Sequence, residues 1–285
     1  LPPIDTTHDA LRQDGSSPAP SARISGADLR SLAARVVSKG DSLDVLIVDQ
    51  PFNGRLLGEV PRSTLADVDF AFDRACAAQE IWKDSSFADR RRIFLRLHDL
   101  LLDRREELLD LIQLETGKAR RHAIEEVLDV AIVARYYANT AEHHLRPRRR
   151  QGAIPFLTAT WEHHPPVGVV GLIAPWNYPF TLTIGDALPA LAAGNAVVVK
   201  PDSNTPFTAL WGVALLEQAG LPVDLVQVVA GSGTQLGPRI IDRCDYVMFT
   251  GSSATGRAVA KQAAERLIGS SMELGGKNAM IVLAD

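Results

Sequence analysis

Two side chains able to take part in ligand chemistry stand at the ends of two apolar runs. Asn177 follows the run Val167–Ala174 across a turn that carries Pro175 and Pro179, and Lys200 closes the run Val197–Val199. If both runs are parallel strands, these groups lie where ligands collect, beyond the carboxyl ends of the sheet. Each also has a plain structural reading, since Asn favours turns and Lys often closes a strand at the surface. A third place is Gly251-Ser252, which ends one apolar run and opens a helical pattern. Unpaired backbone N–H groups and the helix dipole there favour an anion such as a pyrophosphate; the plain alternative is a capped helix start.

The elements that would position these groups follow from the same stretch. Between the two runs lies an apolar segment of helical length, Leu182–Ala193, and then a Gly194-Asn195 break. Strand, helix and strand in that order form a parallel βαβ unit, buried on both faces and right-handed. The pattern continues as helix (206–218), strand (225–229), helix (234–241), strand (246–249) and helix (253–266), with a last apolar run over 279–283. This alternation predicts an α/β fold: a doubly wound, Rossmann-like parallel sheet over residues 166–285.

Upstream, residues 1–25 are rich in Pro and Ser and are expected to form a mobile leader or a loosely docked arm. Residues 26–144 read as a mainly helical part. It holds a short hairpin (45–48 with 56–60), a helix over 64–82 capped by Ser63 or Thr64, a long helix over 89–114 closed by Gly117, and another over 123–144. Residues 145–165 carry Arg146, Arg148, Arg149 and Arg150, then an alternating segment, 154–162, expected to be a strand.

Several chemistries are disfavoured. Gly251 and Gly256 have the outer spacing of a phosphate-binding P-loop, but Arg257-Ala258 stands where Lys and Ser or Thr are required. Gly231, Gly233 and Gly237 have one residue too many for Gly-x-Gly-x-x-Gly. Cys76 and Cys244 form no Cys-x-x-Cys pair, and His143-His144 and His163-His164 lack the i, i+4 spacing that zinc favours, so no metal is expected. A net charge of −4 and an arginine cluster without interleaved aromatics argue against nucleic acid. No apolar run is long enough to span a bilayer, and the first thirty residues lack a secretion-signal layout, which leaves the cytoplasm as the expected location.

Pro175-Trp176-Asn177-Tyr178-Pro179, Gly194-Asn195 and Val199-Lys200-Pro201, in this order, resemble the aldehyde dehydrogenase superfamily. Phe249-Thr250-Gly251-Ser252 and Glu273-Leu274-Gly275-Gly276-Lys277 are similar to its downstream motifs, and Glu115-Thr116-Gly117-Lys118 to an upstream one. The resemblance covers roughly residues 45–285. It implies that Ile173, Trp176, Asn177, Lys200, Gly233, Gly251, Ser252 and Leu274 match positions lining a nicotinamide dinucleotide. It also implies a projecting β-arm at 145–165 that pairs subunits into a homodimer or homotetramer.

Many NAD-preferring members of the family read Lys-Pro-x-Glu, whereas this chain reads Lys200-Pro201-Asp202-Ser203. A carboxylate about 4 Å from a 2′-phosphate would cost on the order of 4 kcal/mol at an effective dielectric near 20. Ser203 removes that penalty and can donate a hydrogen bond, so NADP is the expected cofactor, with NAD second. For the chemistry, the resemblance implies a cysteine thiolate attacking an aldehyde, hydride transfer and hydrolysis of a thioester. Asn177 matches the side-chain donor to the oxyanion. Glu273 matches the base for deacylation, with a setting among apolar residues and glycines expected to raise its pKa.

The family's nucleophile falls beyond Asp285, and neither Cys76 nor Cys244 is assigned its role; a catalytic domain is expected after residue 285. The order of motifs leans toward succinate-semialdehyde enzymes. Against this, an arginine that some of them carry has no match at Gly185. A non-catalytic dinucleotide-binding or assembly protein remains the alternative. A glutamyl-phosphate-reductase-like relative is disfavoured because Glu273 would hydrolyse its acyl intermediate.

Overall fold

The structure is a computed structural model that describes residues 23–38, 44–154 and 156–283. Its centre is a five-stranded, all-parallel sheet in the order β7-β6-β5-β8-β9. The strands are β5 (Val169–Ile173), β6 (Ala196–Lys200), β7 (Val226–Val228), β8 (Tyr246–Gly251) and β9 (Gly269–Leu274). Every residue of β5, β6 and β7 is buried, which explains why β5 and β6 read as apolar runs with no alternation, while β7 carries a buried Gln227 between two valines.

The connecting helices are α6 (Asp186–Ala192), α7 (Pro206–Ala219), α8 (Gly233–Arg243) and α9 (Ser253–Glu265). Right-handed crossovers put α6 and α7 on one face. They put α8 and α9 on the other, because the strand order runs from β5 to β7 and then returns across β5 to β8. The amino end of β5 is pinned by two side chains. Asn195 accepts the N–H groups of Val167 (2.7 Å) and Gly168 (3.0 Å), and Asp245 accepts that of Val169 (2.8 Å).

The upstream part covers both faces. A hairpin of β1 (Val45–Asp49) and β2 (Leu56–Pro61) forms as expected. The helix α2 (Leu65–Trp82) is capped by Thr64 in a reciprocal capping box with Asp67, and packs on β5, β6, β7 and α8. Ser63, the other candidate cap, instead donates to Val37 O (2.7 Å) and accepts from Ala230 N (3.1 Å). A short helix, α1 (Gly26–Ala33), lies where no element was expected; Ser25 caps it. Most of the expected leader lies outside the described residues, but its last residues are docked: Arg23 N donates to Asp110 at 3.0 Å.

Several expectations are corrected. The single helix over 89–114 is two, α3 (Phe87–Asp103) and α4 (Arg105–Thr116), because Arg104 leaves helical geometry at φ −101°, ψ 15°. The helix over 123–144 starts earlier, as α5 (Arg120–Leu145). The segment 182–193 opens with a π turn, Thr181–Gly185, before α6, which contains Pro189. The arm is a two-stranded sheet of β3 (Arg148–Arg150) and β4 (Thr160–Glu162), so the strand expected over 154–162 holds only at its end. Apolar residues 280–283 form no strand and are exposed. The fifth strand is β9, made of Gly269-Ser270-Ser271-Met272-Glu273-Leu274. Its polar residues gave no strand signal, and it pairs only with β8 at the sheet edge.

Candidate cofactor site

The strand order reverses between β5 and β8, and such a topological switch leaves a crevice beyond the carboxyl ends of the two strands. A crevice of about 290 Å³ is found there. Ile173 and Phe249 form its floor, Gly233 and Gly237 one wall on α8, and Thr255 and Val259 the other on α9. Gly233 and Gly237 are four residues apart and so share one face of α8. A Cβ on Gly233 would meet Lys200 Cε at 3.7 Å, and one on Gly237 would meet Ile173 Cδ1 at 3.9 Å, both ordinary contacts. Packing inside the chain therefore does not demand glycine at either position. What side chains there would fill is the crevice, and a flat apolar group fits the space they leave.

Other glycines are required internally. A Cβ on Gly251 would lie 2.6 Å from the Phe249 ring, and one on Gly256 would lie 2.4 Å from Leu274 Cδ2. Leu274 thus packs over the first turn of α9. Ser252 caps that helix, accepting from Thr255 N at 3.1 Å, and its hydroxyl lies 2.9 Å from that of Thr255. The remaining N–H groups of the first turn have no intrahelical partner, and with the dipole they would favour an anion at the amino end of α9, where Thr255 lines the crevice.

Lys200 is 4% exposed, and its ammonium donates to Pro201 O at 2.8 Å. Burial pulls its pKa down, and the charge of Asp202 works against that. Asp202 itself accepts from Asn204 N at 3.0 Å. The hydroxyl of Ser203 donates to Gly231 O at 3.1 Å, so its proton is already committed. Donation to a phosphate, as expected of Ser203, requires the hydroxyl to turn from Gly231 O, whereas the absence of a charge at this position holds in either orientation.

Ile173 and Gly233 line this crevice, while Lys200 lies next to Gly233, Gly251 next to Phe249 and Ser252 next to Thr255, outside the lining itself. Trp176 is 55% exposed and lines a different cavity of about 380 Å³, beside Glu115, Thr116 and Asn204. Asn177 is exposed in the loop after β5. Glu273 is exposed as well, like Gly269, Ser270 and Leu274 of the same strand. It does bear on Asp186 at the start of α6. Burial, and then the charges of Glu273 and Asp129, push the Asp186 carboxyl up to about 6. Nothing in the sequence marked Asp186, which reads as an ordinary first-turn acid.

Residues 38–285 match the profile of the aldehyde dehydrogenase family. The chain belongs to the aldehyde dehydrogenase family. It is 51% identical over 265 residues to a protein of Mycolicibacterium smegmatis named "Putative succinate-semialdehyde dehydrogenase", with NADP(+) in its name; the match covers 93% of this chain and 51% of that protein. Among solved aldehyde dehydrogenases, the fold superposes on one from Bacillus cereus in complex with NAD+ with a TM-score of 0.78 and 32% identity, covering 85% of this chain and 50% of that one. A structure from Burkholderia cenocepacia, titled a putative aldehyde dehydrogenase, gives 0.80 and 34%, over 87% and 51%. The chain spans about half the length of the curated relatives it matches.

Proposed function

We propose that the protein oxidises an aldehyde to a carboxylate through a cysteine thioester, with NADP as hydride acceptor and succinate semialdehyde as substrate. The observation that carries the cofactor part is the conjunction of the crevice, the unneeded glycines of α8, the open amino end of α9 and the buried ammonium of Lys200. When bound, the dinucleotide supplies the acceptor for hydride. On this reading Gly233, Gly237 and Ile173 take the adenine face, and Gly251-Ser252 and the first turn of α9 hold the pyrophosphate. Lys200 faces the adenosine ribose and its phosphate. Asn177 donates to the oxyanion and Glu273 takes the proton of the deacylating water.

Neither cysteine of the chain is given the nucleophile's role. Cys244 is buried, with its thiol pushed up to about 11 by that burial, and Cys76 is exposed on α2, away from the crevice. The substrate rests on the name of the Mycolicibacterium relative. An aldehyde without an ω-carboxylate is a second reading, favoured by the mutual repulsion of Asp186, Asp129 and Glu273 and by Gly185. The arm of β3 and β4 is read as a subunit contact in a homodimer or homotetramer, in the cytoplasm, where two free cysteines are at home.

Fluorescence titration of the chain with NADPH and NADH tests the cofactor part; equal or tighter binding of NADH would remove NADP. An aldehyde panel with the full-length protein tests the substrate. Loss of preference for the ω-carboxylate would favour the second reading.

A further inference from the structure

The motif Glu115-Thr116-Gly117-Lys118 has no chemistry in the reading above, yet it reaches both strand-end loops of the site. α4 ends at Thr116, and Gly117 adopts φ 70°, ψ 5°, a left-handed turn that favours glycine. The turn separates the two charged side chains that flank it. Glu115 enters the first turn of α7, just after Lys200–Asn204. Lys118 enters the loop after β5.

There Lys118 Nζ donates to Asn177 O at 2.8 Å and to Glu126 Oε1 at 2.6 Å, and it lies 3.9 Å from the centre of the Tyr178 ring. Glu126, on α5, is wholly buried. Its other oxygen accepts the N–H groups of Phe180 (2.9 Å) and Thr181 (3.4 Å), at the entry to the π turn. One ion pair thus grips the backbone from Asn177 to Thr181 at both ends. The side chain of Asn177 has no hydrogen-bond partner among the described residues, so the point from which it extends is set by that backbone.

We propose that Lys118, coupled to Glu126, is a positioning residue that fixes the Asn177 amide for the developing oxyanion; this rests on the role assigned to Asn177 above. A misplacement of about 1 Å in such a donor can cost on the order of a hundredfold in rate, which makes a fixed carbonyl next to it consequential.

The direct test is ¹⁵N relaxation of the backbone amides of Asn177 and Tyr178. In the unaltered chain their order parameters are expected near 0.85, and in Lys118→Met below about 0.6, with β5 and β6 unchanged and Lys118→Arg close to the original. Removing one member of a buried pair can unfold a protein. The variant Lys118→Met/Glu126→Gln, which strands no charge, is therefore measured as well, with the same loosening expected. Unchanged order in a folded variant overturns the proposal. In the full-length protein, Lys118→Met is expected to lower kcat about tenfold to a hundredfold with the KM for NADP unchanged, and to add little on top of Asn177→Ala. Effects that multiply in the double variant would also overturn it. If Asn177→Ala leaves kcat intact while the loop still loosens, the oxyanion reading fails and the positioning of the loop stands.

Discussion

A carboxyl oxygen of Glu115 lies 2.6 Å from the backbone nitrogen of Phe207, joining the end of α4 to the start of α7 across 92 positions of chain. The second oxygen accepts Thr208 N at 2.8 Å and the Thr208 hydroxyl. Thr205, at the N-cap, makes no side-chain cap, so Glu115 does that work from another helix.

Burial pushes the Glu115 carboxyl from 4.5 up to about 8, against the lowering by its Thr208 and Phe207 donors. A raised value means the folded state holds this proton more tightly than the unfolded chain. The stability it contributes is therefore fully present below pH 4.5 and lost as pH rises through about 8. Each unit inside that window removes about 1.4 kcal/mol. Urea unfolding from pH 5 to 9 is expected to show a falling midpoint that Glu115→Gln flattens. A midpoint that does not move in the unaltered chain would mean the three donors keep the group ionised throughout.

Ser203→Glu places a carboxylate at a position that carries no charge in this chain. NADPH binding is expected to weaken at least about tenfold, since the full penalty near 4 Å is on the order of 4 kcal/mol. NADH binding should hold or improve. Paired fluorescence titrations read both.

Ala258 is exposed on α9 and faces the crevice. Ala258→Trp is expected to fill that space and weaken binding of both dinucleotides, and of adenosine monophosphate, by about tenfold or more, with no loss of thermal stability because the residue is not in the core. Unaltered adenosine monophosphate binding would move the adenine elsewhere.

Arg90 is buried and ties the end of α2 to the end of α6. It donates to Ala192 O (3.0 Å), Lys83 O (2.8 Å), Trp82 O (3.1 Å) and the Ser85 hydroxyl (2.8 Å), and lies 5.4 Å from the centres of the Trp82 and Phe87 rings. Arg90→Met leaves several buried acceptors without donors, and is expected to lower unfolding free energy by about 2–4 kcal/mol. Urea denaturation measures this.

The sheet was legible wherever burial on both faces wrote itself as an unbroken apolar run, as in Val169–Ile173 and Ala196–Lys200. β9 was not, because four of its six residues are exposed and none is buried, so burial imposes no apolar pattern on it, whereas the opposite edge strand, β7, is buried throughout. The places of Gly251-Ser252 at a helix start and of Lys200 at a strand tip could be read from local rules. The setting of Glu273, the proton commitment of Ser203 and the Lys118–Glu126 grip could not. Each depends on a partner 28 or more positions away, or on the exposure of its strand, and no local spacing encodes that.

The π turn at Thr181–Gly185 closes with Gly185 N on Phe180 O at 3.4 Å, one residue wider than an α turn. Loss of a single residue there would tighten the coil and swing everything before it by about 100° relative to α6, at 3.6 residues per turn. The Trp176–Asn177 stretch would then face away from the sheet's edge while every strand stayed intact. Thr183, Ile184 and Gly185 are buried, so packing restricts which side chains fit there; a deletion is the graver change, because what those five positions must preserve above all is their number.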